Sequence, residues 1–306
     1  MNPRMPALAA VLMVMSSVAH AASEPGPDPF DTYQALLNRH LSVVSGPGEP
    51  MVTRFDYLTL WRNPERYQLF QNIRSELLAT QPSKMSARDR RAWAINTYNF
   101  LVIETIANRV VTDRVPITAR KLGVKGYQLD NVHQIQFDGQ SMFGQPLIDV
   151  EGKTYTLDQF ERAFVFDGFD HHSGKQPPRS LDPRAHFAVV CGAVSCPPLQ
   201  PRVYRGDSLD RQLEAAVRGA LASKTQLRVE DDGRVRTTQI FQWYGADFGG
   251  LKKIKEFLVK YAPAEFKSKI QARDPVPDLP WDWNLNQPPK PTIPLAPQTH
   301  GDTRSG

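Results

Sequence analysis

Apolar side chains recur at helical spacing in several stretches of the chain. A helix near the N-terminus is typical: Phe30, Tyr33, Leu37 and Leu41 fall on one face, and Asp28 followed by Pro29 marks its start. The same spacing, together with start signals such as Thr156 to Gln159, indicates further helices. The predicted helices begin near Asp28, Asn63, Ser86 and Thr156, and two more cover residues 208–223 and 251–261.

Where strands are expected, side chains of similar character recur at every second position. Residues 132–138 show this alternation between two faces before an Asp138-Gly139 turn. Gly-containing turns also occur at Glu151-Gly152 and within residues 231–233. These signals predict β-hairpins between the helices. The expected fold is therefore α+β, with helices packed on a small antiparallel sheet in one domain, residues 22–286.

The predicted helix that begins near Ser86 differs from the others. It is apolar on nearly every face from Ala92 to Ile106, so we expect it to lie at the centre of the domain. Asn96 and Asn99 are its two buried amides, and an unpaired buried amide costs about 1 to 3 kcal/mol. They are predicted either to hold the backbone of a neighbouring loop or to line a polar cleft.

The N-terminal residues predict a location outside the cytoplasm. Residues 1–21 combine a charged start, an apolar run and the small-residue pattern Ala19-His20-Ala21, which is typical of a cleaved secretory signal. The mature protein would begin near Ala22 and be periplasmic or secreted, without stable membrane insertion because the apolar run is too short to span a bilayer. The Pro-rich tail, residues 287–306, is expected to be disordered.

Composition and sequence motifs limit the kinds of partner and cofactor that this protein is expected to bind. The formal net charge is +5 with no long run of one sign, which does not indicate a nucleic-acid partner. The chain has no Gly-rich phosphate loop or flavin motif, so no cofactor is predicted. The pair His171-His172 lacks a further ligand at a recognisable spacing, and no metal site is predicted from it.

Both cysteines lie in residues 182–199, which we interpret as a short strand followed by a Gly/Pro-rich loop. Along an extended strand, His186 and Cys191 would lie on opposite faces and roughly 16 Å apart, so they could not react together, whereas Cys196 could fold back. The alternative is a disulfide from Cys191 to Cys196, which would stabilise the fold by about 2 kcal/mol in an oxidising compartment. We favour the disulfide and keep the free thiol open.

Four motifs in order along the chain carry a family resemblance. They occupy residues 93–99, 182–199, 241–249 and 281–286. In this order the motifs resemble the domain-of-unknown-function family DUF547, of which the chain looks like a bacterial exported member, over about residues 55–286. The layout is also similar to papain and transglutaminase scaffolds, which implies a helix and a histidine-bearing strand around one site. Here the helix carries Asn96 and Asn99 where those scaffolds carry the nucleophilic cysteine.

Two functional hypotheses follow. The first is a binding or scaffold module with a polar cleft and a disulfide-locked loop that recognises an envelope ligand or protein, with Asn99, His133 and Cys191 as binding residues. The second is a cysteine-dependent acyl transferase or hydrolase acting on a peptide or cell-envelope amide. Its catalytic residues would be Cys196 as thiolate, His186 as base and Asn96 as the group that polarises a carbonyl.

Overall fold

The structure is a computed structural model that describes residues 28–46, 48–112, 127–169, 175, 178 and 180–289. It is an α+β fold, as predicted. The described α-helices are Asp31–His40, Tyr57–Arg62, Arg66–Leu78, Ala87–Arg109, Leu157–Phe160, Leu209–Leu221, Ile240–Trp243, Leu251–Tyr261 and Lys267–Ala272. Short 3₁₀ helices are Pro82–Lys84, Val132–Gln134, Met142–Gly144, Pro183–Phe187 and Ala264–Phe266, and Glu161–Val165 forms a π-helical turn.

The helix Ala87–Arg109, hereafter the central helix, confirms the prediction of a buried helix. Its first turn is capped by Ser86, whose hydroxyl accepts a hydrogen bond from the Asp89 amide at 3.1 Å. All side chains from Ala92 to Ala107 are buried. A helix covered on every side is a rigid support, and it can position whatever packs against it.

The strands form several small sheets rather than one. Antiparallel hairpins turn at Asp138-Gly139 and Glu151-Gly152, as predicted, and all four turn residues have positive φ. The strand expected from residue 132 begins only at Gln136, because Asn131 caps a 3₁₀ helix. The described strands are Leu41–Val43, Thr53–Phe55, Val111–Thr112, Tyr127–Gln128, Gln136–Phe137, Gln140–Ser141, Pro146–Val150, Lys153–Thr156, Leu227–Val229, Val235–Thr237 and Pro275–Val276.

One strand departs from the expected antiparallel pairing. The pair Val235–Thr237 and Leu227–Val229 is antiparallel, but Pro275–Val276 adds to the other edge of Val235–Thr237 in a parallel register. The addition needs a long connection, which the helices Leu251–Tyr261 and Lys267–Ala272 supply.

Two clusters of buried apolar residues form the interior. The larger surrounds the central helix, and the smaller packs the helices Leu209–Leu221 and Leu251–Tyr261 around Phe187. Trp281 contacts both clusters. The prediction of a single domain over residues 22–286 stays a prediction.

The strand predicted for residues 184–191 is wrong. Asp182 caps a 3₁₀ helix over Pro183–Phe187 by accepting a hydrogen bond from the Arg184 amide at 3.0 Å. The sequence Asp182-Pro183 is a helix-start signal, because the carboxylate satisfies a free amide and proline has the φ that the first turn needs. Because the segment begins as a 3₁₀ helix and is not an extended strand, the separation of roughly 16 Å expected between His186 and Cys191 does not apply.

Several predictions fall on residues outside the described ones. These are the signal sequence, residues 1–21, the pair His171-His172, and all of the Pro-rich tail beyond residue 289. Among the helices of the described residues, none has both the length and the apolar character needed to cross a bilayer.

Candidate functional site

A cavity of about 450 Å³ opens between the central helix, the cysteine-containing segment and the C-terminal part of the described chain. Its volume lies in the range of small-molecule sites. It brings together His186, Cys191 and Cys196, three of the residues that the sequence singles out. The other lining residues are Tyr98, Phe143, Asp158, Glu161, Val189, Val190, Pro197, Ile240, Trp243, Tyr244, Trp281 and Trp283.

Asn99 of the central helix fixes one wall of this cavity. Its Nδ2 donates to the Ala188 carbonyl at 2.9 Å, and its Oδ1 accepts from the Val190 amide at 3.0 Å. The side chain is buried, so these two bonds replace the strand pairing that this backbone would otherwise need. Asn99 therefore positions Val189 and Val190 without itself lining the cavity.

Asn96 makes the same kind of bidentate contact one turn earlier. Its Nδ2 donates to the Tyr204 carbonyl at 2.8 Å, and its Oδ1 accepts from the Tyr204 amide at 2.9 Å. Its amide is thus bonded in both directions to a backbone outside the cavity wall. The catalytic role considered for Asn96 stays a prediction, whereas its role in holding a loop is what the geometry shows.

His186 forms a buried pair with Asp247. The His186 Nε2 lies 2.7 Å from the Asp247 Oδ2, and both residues are only 4 % exposed. The imidazole is stacked between Phe166 and Tyr244, with ring centroids 4.2 Å away on each side. The pair fixes the orientation of the ring, which is what a general base or a hydrogen-bonding ligand group requires.

Cys191 and Cys196 form a disulfide, the state favoured from the sequence. Their Cα atoms are 6.5 Å apart, and the Cys191 amide donates to the Cys196 Sγ at 3.2 Å. Gly192 follows with φ of +86°, and a Cβ there would clash with the Ile106 side chain of the central helix. The bridge closes a tight loop at the cavity wall, and the chain has no other cysteine.

The segment Trp281–Asn286 covers the cavity because backbone bonds hold it on both sides. On one side the Val194 amide donates to the Asn284 carbonyl at 2.8 Å, and the Asn286 amide donates to the Gly192 carbonyl at 2.8 Å. On the other side the Val132 amide donates to the Trp283 carbonyl at 3.0 Å. This pairing places the Trp281 and Trp283 rings in the wall, where both contact Trp243 at centroid distances of 4.7 and 6.1 Å.

Two carboxyl groups, those of Asp158 and Glu161, also line the cavity. Thr156 and Gln159 form the predicted capping box, which starts the turn that carries both acids. Burial raises the pKa of Glu161 to about 8, helped by the charges of Asp158 and Asp247 and opposed by a hydrogen bond with Tyr98. Burial also raises the pKa of Asp158, while Arg162 lowers it. Near neutral pH, Glu161 is therefore largely protonated.

The remaining predicted site residue, His133, lies beside the cavity and not in its wall. Its side chain is exposed, and its ring contacts Trp283 with centroids 4.4 Å apart. The sequence reasoning missed Glu161, Asp247 and the tryptophans as site residues. Only the motifs around Asp247 and Trp281 gave a signal, since they formed part of the family resemblance.

No cluster of three or more His, Cys, Asp or Glu side chains suited to a metal ion occurs within the described ranges. The cavity combines two carboxyl groups, several aromatic rings and one oriented imidazole, a set of groups that can bind and orient a small polar molecule.

Comparison with known proteins gives one match. Residues 82–219 match the family model described as "Protein of unknown function, DUF547", which supports the family suggested by the sequence motifs. The matched region includes the central helix, Glu161, His186 and both cysteines, whereas Asp247 and the cavity tryptophans follow it. No curated protein matches the chain, and no solved structure matches it. The likeness to papain and transglutaminase scaffolds stays a prediction.

Proposed function

We propose that this protein is an exported binding module whose cavity holds a small ligand of the cell envelope. The observation that carries the proposal is the convergence of His186, the disulfide loop, two carboxyl groups and three tryptophans on one cavity of about 450 Å³. Hydrogen bonds hold two of the wall segments, residues 188–190 through Asn99 and residues 281–286 through backbone pairing, so much of the site is formed before a ligand arrives. Such preorganisation lowers the entropic cost of binding.

A binding role is favoured over thiol catalysis because both cysteines are in the disulfide. A disulfide sulfur is not a thiolate, so the resting protein has no cysteine nucleophile. The bridge instead keeps the loop next to Val190 in one conformation. We regard the Cys191–Cys196 loop as a structural part of the binding site.

Export is part of the proposal and rests on the signal-like residues 1–21 and on the disulfide. We expect the protein recovered from its native host to begin near Ala22, as shown by N-terminal sequencing of the purified chain. We also expect the two cysteines to resist alkylation until a reductant is added. Recovery of an intact Met1 from the cytoplasmic fraction would contradict export.

A second function is favoured by one specific observation, the oriented His186 in the same cavity wall as Cys196. If a thiol reductant opened the disulfide, a Cys196 proton could pass to the ring nitrogen of His186 that is not bonded to Asp247. The thiolate would then attack an amide carbonyl, the leaving amine would take the proton, and the thioester would pass to water or to an acceptor amine. This is the acyl-transfer alternative, with Asp247 in the orienting role.

One experiment separates the two functions. A panel of small amines, acids, sugars and peptides is screened by thermal shift and calorimetry against the oxidised protein, and the same peptides are tested for amide hydrolysis with and without reductant. We expect saturable binding to the oxidised protein and no hydrolysis in either redox state. Trp243→Ala should weaken binding about tenfold, as expected for an aromatic contact in a binding site.

The matched control is Trp61→Ala, which also removes a tryptophan side chain, one that is partly buried and does not line the cavity. It should leave binding unchanged. If the panel gives no binding, or if both tryptophan variants affect it equally, the binding role of this cavity is wrong. Hydrolysis that requires reductant and is lost in Cys196→Ser but not in Cys191→Ser would establish the acyl-transfer function instead.

A further inference from the structure

The cavity described above has an uneven distribution of charge. Among the lining residues of the described chain, Asp158 and Glu161 are acids and none is lysine or arginine. His186 is the remaining ionisable group with a basic nitrogen, and its partner Asp247 supplies a compensating carboxylate at 2.7 Å. An occupant that complements this cavity has a positive charge and no acidic group.

The cavity is also lined by aromatic rings. Trp243, Trp281 and Trp283 pack against one another there, and Tyr244 stacks on His186. The faces of indole and phenol rings attract cations, and they attract substituted ammonium groups in particular because these groups have little hydration to lose. Carboxyl groups and aromatic rings in one cavity suit the same kind of ligand.

We propose that the cavity binds a small organic cation, a substituted ammonium compound, through the Asp158 and Glu161 carboxyl groups and the tryptophan rings that line it. The inference rests on the proposed binding function and names its ligand class. The volume of about 450 Å³ admits a free small molecule of this kind.

When the cation binds in this cavity, it takes the place of the proton on Glu161. Glu161, with a pKa of about 8 in the free protein, holds a proton near neutral pH. An ammonium group beside it favours the carboxylate, so the proton leaves as the cation enters. Affinity then rises with pH by up to about tenfold per unit below pH 8 and levels off above it.

The groups that surround Glu161 are compatible with this exchange. Asp158 and Asp247 raise its pKa, and the Tyr98 hydroxyl is hydrogen-bonded to it. The same acids act on Tyr244. Burial is the largest cause of its raised pKa, and the charges of Glu161, Asp158 and Asp247 raise this pKa further. Arg162 acts on Asp158 and so offsets part of the negative charge. Glu161 is thus the group whose charge changes on binding.

Titration calorimetry with choline and with its neutral isostere, in which carbon replaces the quaternary nitrogen, tests the proposal on the oxidised mature protein. We expect choline to bind at least about tenfold more tightly at pH 8 than the isostere. Repeating the titration near pH 7 in buffers of different ionisation enthalpy should show proton release on binding.

Glu161→Gln keeps the shape and the hydrogen bond to Tyr98 but cannot release a proton. It should abolish the proton release and the pH dependence, and weaken choline binding at pH 8 about tenfold. The control Glu256→Gln changes an exposed glutamate that is paired with Lys253 and is not part of the cavity wall, and it should change neither quantity.

Equal binding of the isostere, the absence of choline binding, or proton release that persists in Glu161→Gln would overturn the cation proposal. Its failure is distinct from failure of the binding function. If neutral or acidic compounds of the panel bind and depend on Trp243 while choline does not, the ligand class is wrong and the binding role stands. If nothing binds, both are wrong.

Discussion

Asn99→Ala is expected to lower the free energy of unfolding by about 4 kcal/mol. The substitution removes both partners of a buried backbone segment, the donor to the Ala188 carbonyl and the acceptor from the Val190 amide. Each buried group left without a partner costs about 1 to 3 kcal/mol, and the missing side chain leaves a small void as well. Urea denaturation followed by circular dichroism measures this loss.

A matched substitution controls for the change of residue type within a helix. Asn72→Ala removes an exposed asparagine from the helix Arg66–Leu78. The Asn72 side chain accepts a hydrogen bond from the Gln68 side chain, and its loss should change the free energy of unfolding by less than about 0.5 kcal/mol. A cost below about 1 kcal/mol for Asn99→Ala would show that the segment Ala188 to Val190 is held by other contacts. Because Val190 lines the cavity, we also expect Asn99→Ala to weaken ligand binding.

Local signals account for the parts of the fold that the sequence predicts well. The Ser86 cap and the continuous apolar surface behind it predict the central helix, and the turn at Glu151-Gly152 predicts its hairpin. Each of these signals depends on a few adjacent residues. Such signals survive in the folded chain because tertiary contacts agree with them.

The segment from Arg184 to Cys191 shows why the rest could not be predicted. Its alternation of apolar residues indicates a strand, but Asp182 and Pro183 start a 3₁₀ helix, and the backbone after it bonds to Asn99, about ninety residues away. The pairing partner is a side chain on a helix, which no periodicity reports. Tertiary contacts therefore override the local pattern here.

The candidate site was predicted only in part for the same reason. His186, Cys191 and Cys196 are conspicuous because histidine and cysteine are rare in this chain. Trp283 reaches the cavity only through bonds between its own segment and residues near 132 and 194. Glu161 is an ordinary helical glutamate in sequence, and its raised pKa arises from neighbours that folding supplies.

Asp247→Ala is expected to be destabilising by about 3 to 5 kcal/mol. His186 would lose the carboxylate that lies 2.7 Å from its Nε2, while Phe166 and Tyr244 would still enclose the ring. Removing one partner of a buried polar pair leaves the other with its full desolvation cost. Equilibrium unfolding in urea at neutral pH measures the loss.

The conservative variant separates charge from hydrogen bonding. Asp247→Asn keeps an oxygen at the same place, so His186 can still donate to it, and we expect a cost of about 1 to 2 kcal/mol. Because the Asp247 charge contributes to the raised pKa of Glu161, the same variant should lower the pKa of Glu161 from about 8. A titration of the Glu161 carboxyl by carbon-detected NMR reports that change.

A double-mutant cycle with His186→Phe decides whether the two residues act as a pair. Phenylalanine retains a flat ring between Phe166 and Tyr244 but needs no hydrogen-bond partner. The change of Asp247 to alanine should then cost much less than in the native background, since the imidazole that Asp247 contacts is already absent. The difference between the two costs is the coupling energy, and we expect it to exceed about 1 kcal/mol. Equal costs in both backgrounds would mean that Asp247 stabilises the fold through contacts other than that with His186. This outcome would contradict the role of Asp247 in orienting the His186 ring.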